Sequence, residues 1–524
     1  MQNAPQSMKF NQPLPAHPFE PTRPAPGHLP TGQLDAFDLA ALAYLVLPML
    51  LFAGWFLPVP ALALAAAILW GLSRFWHGSR AAAQPLAPWG WMGWLMLAAL
   101  AVGLTAVSGA GHLVYANTDW HIRDAVLRDL AETPWPPGYL NEGQSVLLRA
   151  PVAYYLPAAA LGAVFGNGSG SSVLDAAILT WTALGVGLVA WGAALRCTRP
   201  RERLVLALVL VMFGGWDLLG DMYFELVWPA STKHLEWWAT FAQYSSSLTL
   251  LAWVPNHALP AWLGTLLVLR HWRQPSLARI APCLMAVTPL WSPLIAIGLA
   301  PFVLLGLDWR RHAGLLLSPL RQWPWGLVLV VVAAYITMDS SAIPSGWQFR
   351  DPATFSRFFP TYVLFCLLEF GLLAGLLLLA GLRDRPLLLA IGVLLLLPLY
   401  RFGEANDLAM RASVPALMVL ALAAVQALTA PAATPRGIRA GLLLVLAVGG
   451  FGAWHEPWRA LTEPRWARSG DSFPEAVAIE RGATGPAELP PHYVARPNRP
   501  WLTGLMRTPT PVLPHAAPQP GDSR

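Results

Sequence analysis

Between residues 38 and 454 the chain is a succession of apolar runs of bilayer-crossing length, such as LAALAYLVLPMLLFAGWFL (39–57) and WMGWLMLAALAVGLTAV (91–107). A helix rises about 1.5 Å per residue, so roughly 20 apolar residues cross a hydrocarbon core. Inside a bilayer every backbone N–H and C=O has to be paired within the segment or within a closed barrel. Runs this long and this uniformly apolar are helical. Only 12% of the residues are charged, against about 25% in a soluble domain. The expected fold class is therefore all-α, a polytopic transmembrane helical bundle.

The chain carries a formal net charge of +6. Its positive residues are nearly all arginine and gather in short loops: RFWHGSR (74–80), RCTRPRER (196–203), RHWRQPSLAR (270–279), DWRRH (308–312), RDR (383–385) and PRGIR (435–439). Short basic loops mark the cytoplasmic side of a membrane protein. The charge is thus an orientation signal and not a nucleic-acid footprint. Arginine-rich, lysine-poor usage fits a bacterial source, hence the bacterial inner membrane.

Keeping every basic loop inside requires about thirteen spans, with the N-terminus cytoplasmic and the C-terminus periplasmic. It also requires that RAPVAYYLPAAALGAVFG (149–166) does not cross. That segment is short and contains Pro151 and Pro157, so an interfacial or re-entrant helix is expected there. Residues 281–307 become a hairpin of two short helices broken at Pro289–Pro293. The expected layout is a disordered cytoplasmic tail (1–35), a transmembrane domain (36–454) with a first outer loop at 109–172, and a Pro-rich tail (455–524). Cys197, Cys283 and Cys366 have no metal or redox spacing.

The outer loops hold the chemistry. YANTDWHIRDAVLRDL (115–130) carries Asp119, His121, Arg123, Asp124, Arg128 and Asp129. Asn117 or Thr118 can cap a helix beginning near Asp119. Ile122, Val126, Leu127 and Leu130 give it one apolar face, so it reads as an amphipathic helix on the membrane, with Arg123 and Arg128 toward water or headgroups. In GGWDLLGDMYFELVWPASTKHLEWW, Asp217, Asp221 and Glu225 recur every four residues. Such a row calls for a nearby cation: Lys233, His234, another loop's arginine or a metal. Further polar stretches place Arg350, and then Arg401, Glu404, Asn406, Asp407 and Arg411, between apolar helices. Arginines there suit a lipid phosphate, because a guanidinium binds phosphate oxygens bidentately. Capping, interface anchoring and solvated helix faces account for these residues singly.

The order of features resembles the GT-C superfamily of integral-membrane glycosyltransferases, nearest its protein mannosyltransferase and lipid A aminoarabinose transferase branch. The likeness spans roughly residues 88–340: a span leading to Asp119, an amphipathic helix, Arg149 before Pro151 and Tyr154, an Arg-rich turn, a span ending in acids, and the broken 281–307 segment. The resemblance implies transfer of a sugar from a polyprenyl-phosphate donor to a lipid, glycan or protein acceptor at the outer membrane face. It implies a catalytic group of Asp119, Asp221 and Asp217, with Asp119 as base or acceptor clamp. Arg149, Arg350, Arg401 and Arg411 are the candidates for the lipid phosphate. Trp120, His121, Tyr154, Lys233, His234, Asn406 and Asp407 complete the candidate substrate-binding set. No cofactor is fixed. A divalent metal occurs in some relatives, but here Trp120 follows Asp119 where several of them have a second acid. Two other classes stand beside this one. A transporter or flippase of a lipid-linked sugar would show an internal repeat and ionisable groups deep in its spans. A non-catalytic envelope-assembly protein would be indifferent to Asp119.

Overall fold

The computed structural model describes residues 33–78, 90–149, 151–166, 171–226, 233–349, 351–430, 434–483, 485 and 487–513. The expected N-terminal tail (1–35) therefore falls almost wholly outside the described residues, as does Arg350.

The chain is mostly helical. Among the described residues, seven helices are long and apolar enough to cross a membrane: Ala36–Trp55, Pro58–Phe75, Gly90–Val107, Ser172–Ala194, Pro352–Leu379, Asp407–Thr429 and Arg436–Thr462. Pro293–Gly306 and Trp309–Leu316 make an eighth if that pair, bent by 119°, is one span. Other apolar helices are shorter. Pro255–Arg270, with 16 residues, is about 24 Å long, and all but its last residue is buried among its neighbours.

Proline sets the breaks. Pro275–Trp291 and Pro293–Gly306 meet at Ser292. The residue before a proline is pushed out of the helical region, and Ser292 is extended, with φ −171° and ψ 117°. Its hydroxyl then caps the second helix by accepting from the Ile295 N–H at 3.3 Å. The first arm is longer than expected, because Pro282 and Pro289 are accommodated inside it.

The fold is not purely α. Strands β1 (Pro137–Asn141) and β2 (Gln144–Leu148) form an antiparallel hairpin, and β3 (Ser345–Trp347) pairs with β4 (Tyr400–Phe402). The β1–β2 turn uses Glu142 (φ +52°) and Gly143 (φ +76°), the two left-handed positions that suit the twist of a tight hairpin. Strands β5 (Val494–Ala495) and β6 (Thr510–Pro511), both from the C-terminal segment, complete a sheet of order β5-β2-β1-β6.

The C-terminal segment is thus no loose tail. The helix expected to end near 454 runs to Thr462, and the chain after it folds back over the 115–148 region. Trp466 donates to the Ala116 carbonyl (2.8 Å), and Arg149 N–H donates to the Tyr493 carbonyl (2.6 Å). This cover changes the helix Asp119–Glu132. It was expected to float on the membrane with Arg123 and Arg128 facing water. Instead Arg123 is 4% exposed, and Trp120, Asp124, Leu127 and Asp129 are buried too.

Residues Asp35, Asp38, Arg270 and His271 meet by ion pairs on one face of the bundle, with Arg196 and Asp384 close by. This is the Arg-rich face. Asp119 lies with the sheet and the C-terminal segment on the opposite face. Leu156–Phe165, expected not to cross, has ten residues, about 15 Å of helix, and packs beneath Asp119–Glu132.

Candidate functional site

Asn117 fixes the start of the helix that carries Asp119. Its Oδ1 accepts from the Asp119 N–H at 3.1 Å, and its Nδ2 donates to the Ala252 carbonyl at 2.8 Å. Trp120 donates its indole N–H to the same carbonyl at 3.1 Å. Asp119 therefore occupies the first helical turn, where a carboxylate is favoured by the helix dipole. Its side chain is 41% exposed, which sets it apart from the buried Asp124 and Asp129 of this helix.

One turn later Arg123 turns inward. Nη2 lies 3.3 Å from Asp119, and Nη1 donates to Asn256 Oδ1 at 3.0 Å and to the Tyr155 hydroxyl at 3.4 Å. Burial opposes its charge, but Tyr155 and Asp119 outweigh that and raise its pKa. Asn256 and His257 are buried in the first turn of the helix that Pro255 begins. His257 lies within electrostatic reach of both Arg123 and Arg411. Arg411 holds Asp407 at 2.9 Å, which leaves its Nε without a hydrogen-bond partner among the described residues. Tyr493 and His492 come up from the C-terminal segment, Tyr493 beside Tyr155, Arg123, Asp119 and Arg411, and His492 beside Asp407 and Arg411. Burial, only partly offset by Asp407, keeps His492 below its ordinary pKa. The result is a partly exposed acid paired with one guanidinium group, Arg123, with a second, Arg411, within electrostatic reach of the same Tyr493. It can accept a proton while the cations hold an anion.

Of the residues singled out in the sequence, Asp119, Arg411 and Asp407 all lie within electrostatic reach of the C-terminal pair His492 and Tyr493. Others are occupied elsewhere. Arg149 is buried, and its guanidinium donates to the carbonyls of Met338 (2.7 Å), Ile336 (3.4 Å) and Pro491. It ties the C-terminal segment to the end of the helix Pro319–Ile336, so its donors face carbonyls and not a phosphate. Arg401 turns back onto the carbonyls of Gly403 (3.2 Å) and Glu404 (2.6 Å). Asn406, at φ +51°, caps its own helix and donates to the Phe241 carbonyl at 3.0 Å. Tyr154 is fully buried on Thr182 at 2.7 Å. Trp120 is 1% exposed, so its face cannot stack on a sugar. His121 lies flat on Trp466, centroids 4.2 Å apart.

The acid row divides. Lys233 reaches Asp221 at 2.5 Å and Glu225 at 2.6 Å and supplies the cation that row calls for. His234 packs on Trp253 at 4.7 Å. Asp217 instead turns inward and is buried beside Glu369. Burial, then Glu236, push Asp217 up to about 8. Glu369 sits on a π-helical turn, Leu367–Gly371, and accepts from Trp238 Nε1 at 2.9 Å. Gly215 makes room, since a Cβ there would fall 2.2 Å from the Glu369 carboxylate. Asp217 and Asp221 are thus paired away from Asp119.

Asp124 and Asp129 are sockets for the C-terminal segment, while Arg128 pairs with Glu132 of its own helix at 3.0 Å. Asp124 holds His112 (2.7 Å) and Arg468 (3.3 Å), and Arg468 continues to Asp175 (2.6 Å). Asp129 accepts from the Phe473 N–H (2.9 Å) and the Tyr139 hydroxyl (3.1 Å). Among the described residues no group of three or more His, Cys, Asp or Glu side chains is arranged to hold a metal ion.

Sequence reasoning missed Asn256, His257, Arg468, His492, Tyr493 and Glu236 as participants. VPNHALP (254–260) carried a signal, a polar pair straight after a proline that opens an apolar helix. The C-terminal residues carried none, because their partners lie hundreds of positions away. Comparison of the chain with protein-family models, with curated proteins and with solved structures gives no match.

Proposed function

We propose that the chain is a membrane glycosyltransferase of the GT-C type. It would move a sugar from a polyprenyl-phosphate donor to an acceptor at the face that carries Asp119, the outer face of a bacterial inner membrane. Among the described residues seven helices, or eight with the bent pair, are long and apolar enough to cross; the thirteen spans this orientation needs would require shorter helices to cross as well. The observation that carries the reading is the partly exposed carboxylate of Asp119, ion-paired with Arg123 at 3.3 Å, with Tyr493 within electrostatic reach of Asp119, Arg123 and Arg411.

The reaction follows from that pairing. The acceptor O–H or N–H gives its proton to Asp119 as the acceptor atom bonds to the sugar's anomeric carbon. The bond from that carbon to the phosphate oxygen breaks, and its electron pair leaves with the lipid phosphate. Arg411 and Arg123 stabilise the charge gained there. A single displacement of this kind inverts the anomeric centre. No step calls for a metal.

The test uses full-length protein in lipid with a panel of polyprenyl-phosphate sugars, following acceptor labelling and release of polyprenyl phosphate. Turnover that vanishes in folded Asp119→Asn supports the reading. Equal turnover in both proteins removes Asp119 from the mechanism.

A transporter of a lipid-linked sugar is favoured by one observation: buried Glu369, on a π-helical turn inside the span Pro352–Leu379, faces the buried Asp217 of another helix. Buried acids in spans commonly serve ion or substrate passage. Movement of a lipid-linked sugar across vesicles without its cleavage, lost in Glu369→Gln, would select that reading.

A further inference from the structure

Late in its course the C-terminal segment meets the ends of three helices. The Leu57 N–H donates to the Leu505 carbonyl and the Arg507 N–H to the Trp55 carbonyl, both at 2.9 Å, and Phe56 forms an antiparallel bridge with Met506. A few residues earlier Arg499 donates to the Thr337 hydroxyl at 2.7 Å, just past the helix Pro319–Ile336. Residues 499–507 therefore lie level with the turn at 56–58, where the span Ala36–Trp55 ends and the span Pro58–Phe75 begins.

Successive side chains of a paired strand point to opposite faces, and residues directly opposite each other share a face. Burial follows that alternation here. Phe56 and Met506 form one rung and are buried. Leu57 and Leu505 form the next rung and point outward, 43% and 41% exposed. The short helix Pro500–Thr503 divides in the same way: Leu502 is buried against the bundle, and Trp501 is 52% exposed.

The surface beside this outward pair identifies what covers it. Leu57 leads directly into Pro58–Phe75, whose Val59 is 78% exposed and whose Leu62 is exposed too. On a crossing helix such side chains face lipid. Leu505 is the lateral neighbour of Leu57, so the apolar surface of the span continues without a break onto the C-terminal segment. Tryptophan suits the level at which a span meets water, because its ring is apolar and its N–H is polar.

We propose that residues 501–505 dip into the bilayer beside the start of Pro58–Phe75, with Trp501 at the interface and Leu505 against acyl chains. The partner of this surface is the lipid leaflet. The contact holds the segment that carries Arg468, His492 and Tyr493 from a second side, as a strap fixed at both the bundle and the membrane. The inference rests on Pro58–Phe75 crossing the membrane and is independent of the proposed transfer reaction.

The test places a nitroxide spin label on single added cysteines of the full-length protein in phosphatidylcholine vesicles. The native Cys197, Cys283 and Cys366 are buried, and wild type treated in the same way gives the background. Oxygen concentrates in hydrocarbon, whereas a nickel chelate stays in water. Labels on Leu505→Cys and Trp501→Cys should be more accessible to oxygen than to nickel, as should a label on Val59→Cys in the span. A label on Glu480→Cys, an exposed position of the same segment, should show the reverse. Wild type is tested without any variant by phosphatidylcholine carrying a diazirine on its acyl chain. Illumination should leave adducts within 500–507 as well as within Pro58–Phe75. Greater access of nickel than of oxygen at Leu505, or adducts in the span with none within 500–507, would overturn the proposal. Labels shielded from both reagents would mean that a second copy of the chain covers the patch, and would overturn it as well. Absence of adducts from both stretches would remove the span itself, and the proposal with it.

Discussion

The guanidinium of Arg468 lies 3.3 Å from the carboxylate of Asp124, both almost wholly buried. Through this contact and the Arg468–Asp175 pair at 2.6 Å, the C-terminal segment is fastened to the helix that begins with Asp119. Removing one member of a buried pair strands the other charge, at about 3–5 kcal/mol. Arg468→Ala should therefore loosen the whole segment. Limited trypsin digestion of the full chain should cut within 465–507 much faster than in wild type, and the thermal midpoint should fall. An unchanged digestion pattern would mean that the strands β5 and β6 hold the segment unaided.

Asp129 is a second fastening, and it titrates. Burial pushes its carboxyl from 3.8 up to about 7, against the lowering effect of the Phe473 N–H and the Tyr139 hydroxyl. The folded state holds this proton more tightly than the unfolded one. Its contribution to stability is then full below about pH 4 and is lost as pH rises through 7, with a slope of up to about 1.4 kcal/mol per pH unit in between. Asp129→Asn should flatten that part of the stability profile relative to wild type. Thermal unfolding of both proteins between pH 4.5 and 7.5 measures the difference, and parallel profiles would exclude it.

Arg149 separates anchoring from substrate binding. Its guanidinium donates to three backbone carbonyls, and lysine cannot reproduce that fork. Arg149→Lys should lower stability by about 1–3 kcal/mol while the KM for a polyprenyl-phosphate donor stays within about twofold. A large rise in KM at unchanged stability would return Arg149 to the lipid phosphate.

Arg411 should behave in the opposite way. Its partner Asp407 and its side chain are both partly exposed, so Arg411→Gln should cost little stability. Loss of a cation beside a departing phosphate should lower turnover by about a hundredfold or more. Steady-state kinetics with the donor found active in the panel would show it, and unaltered kcat/KM would place the leaving group elsewhere.

The sequence by itself determined the membrane-helical class, the break before Pro293, the shortness of the helix around Pro157 and the start of a helix at Asp119. Each of these rests on local rules: the length of an apolar run, the missing N–H of proline, the capping of a first turn. It also showed that 115–130 is unusually rich in ionisable groups, but not what those groups do. Periodicity tells which side chains share a face, and only the tertiary structure tells what that face meets. Arg123 and Arg128 were assigned to water because nothing nearby in the chain could cover them. The covering residues Trp466, Arg468, Phe473 and Tyr493 come from the far end of the chain. In the folded protein His121, Asp124 and Asp129 are taken by that segment, Asp217 by Glu369, and Asp221 by Lys233. Asp119 is left partly exposed beside Arg123, because a charge's role depends on the partner it finds, and the partners of its neighbours are brought in only by long-range packing.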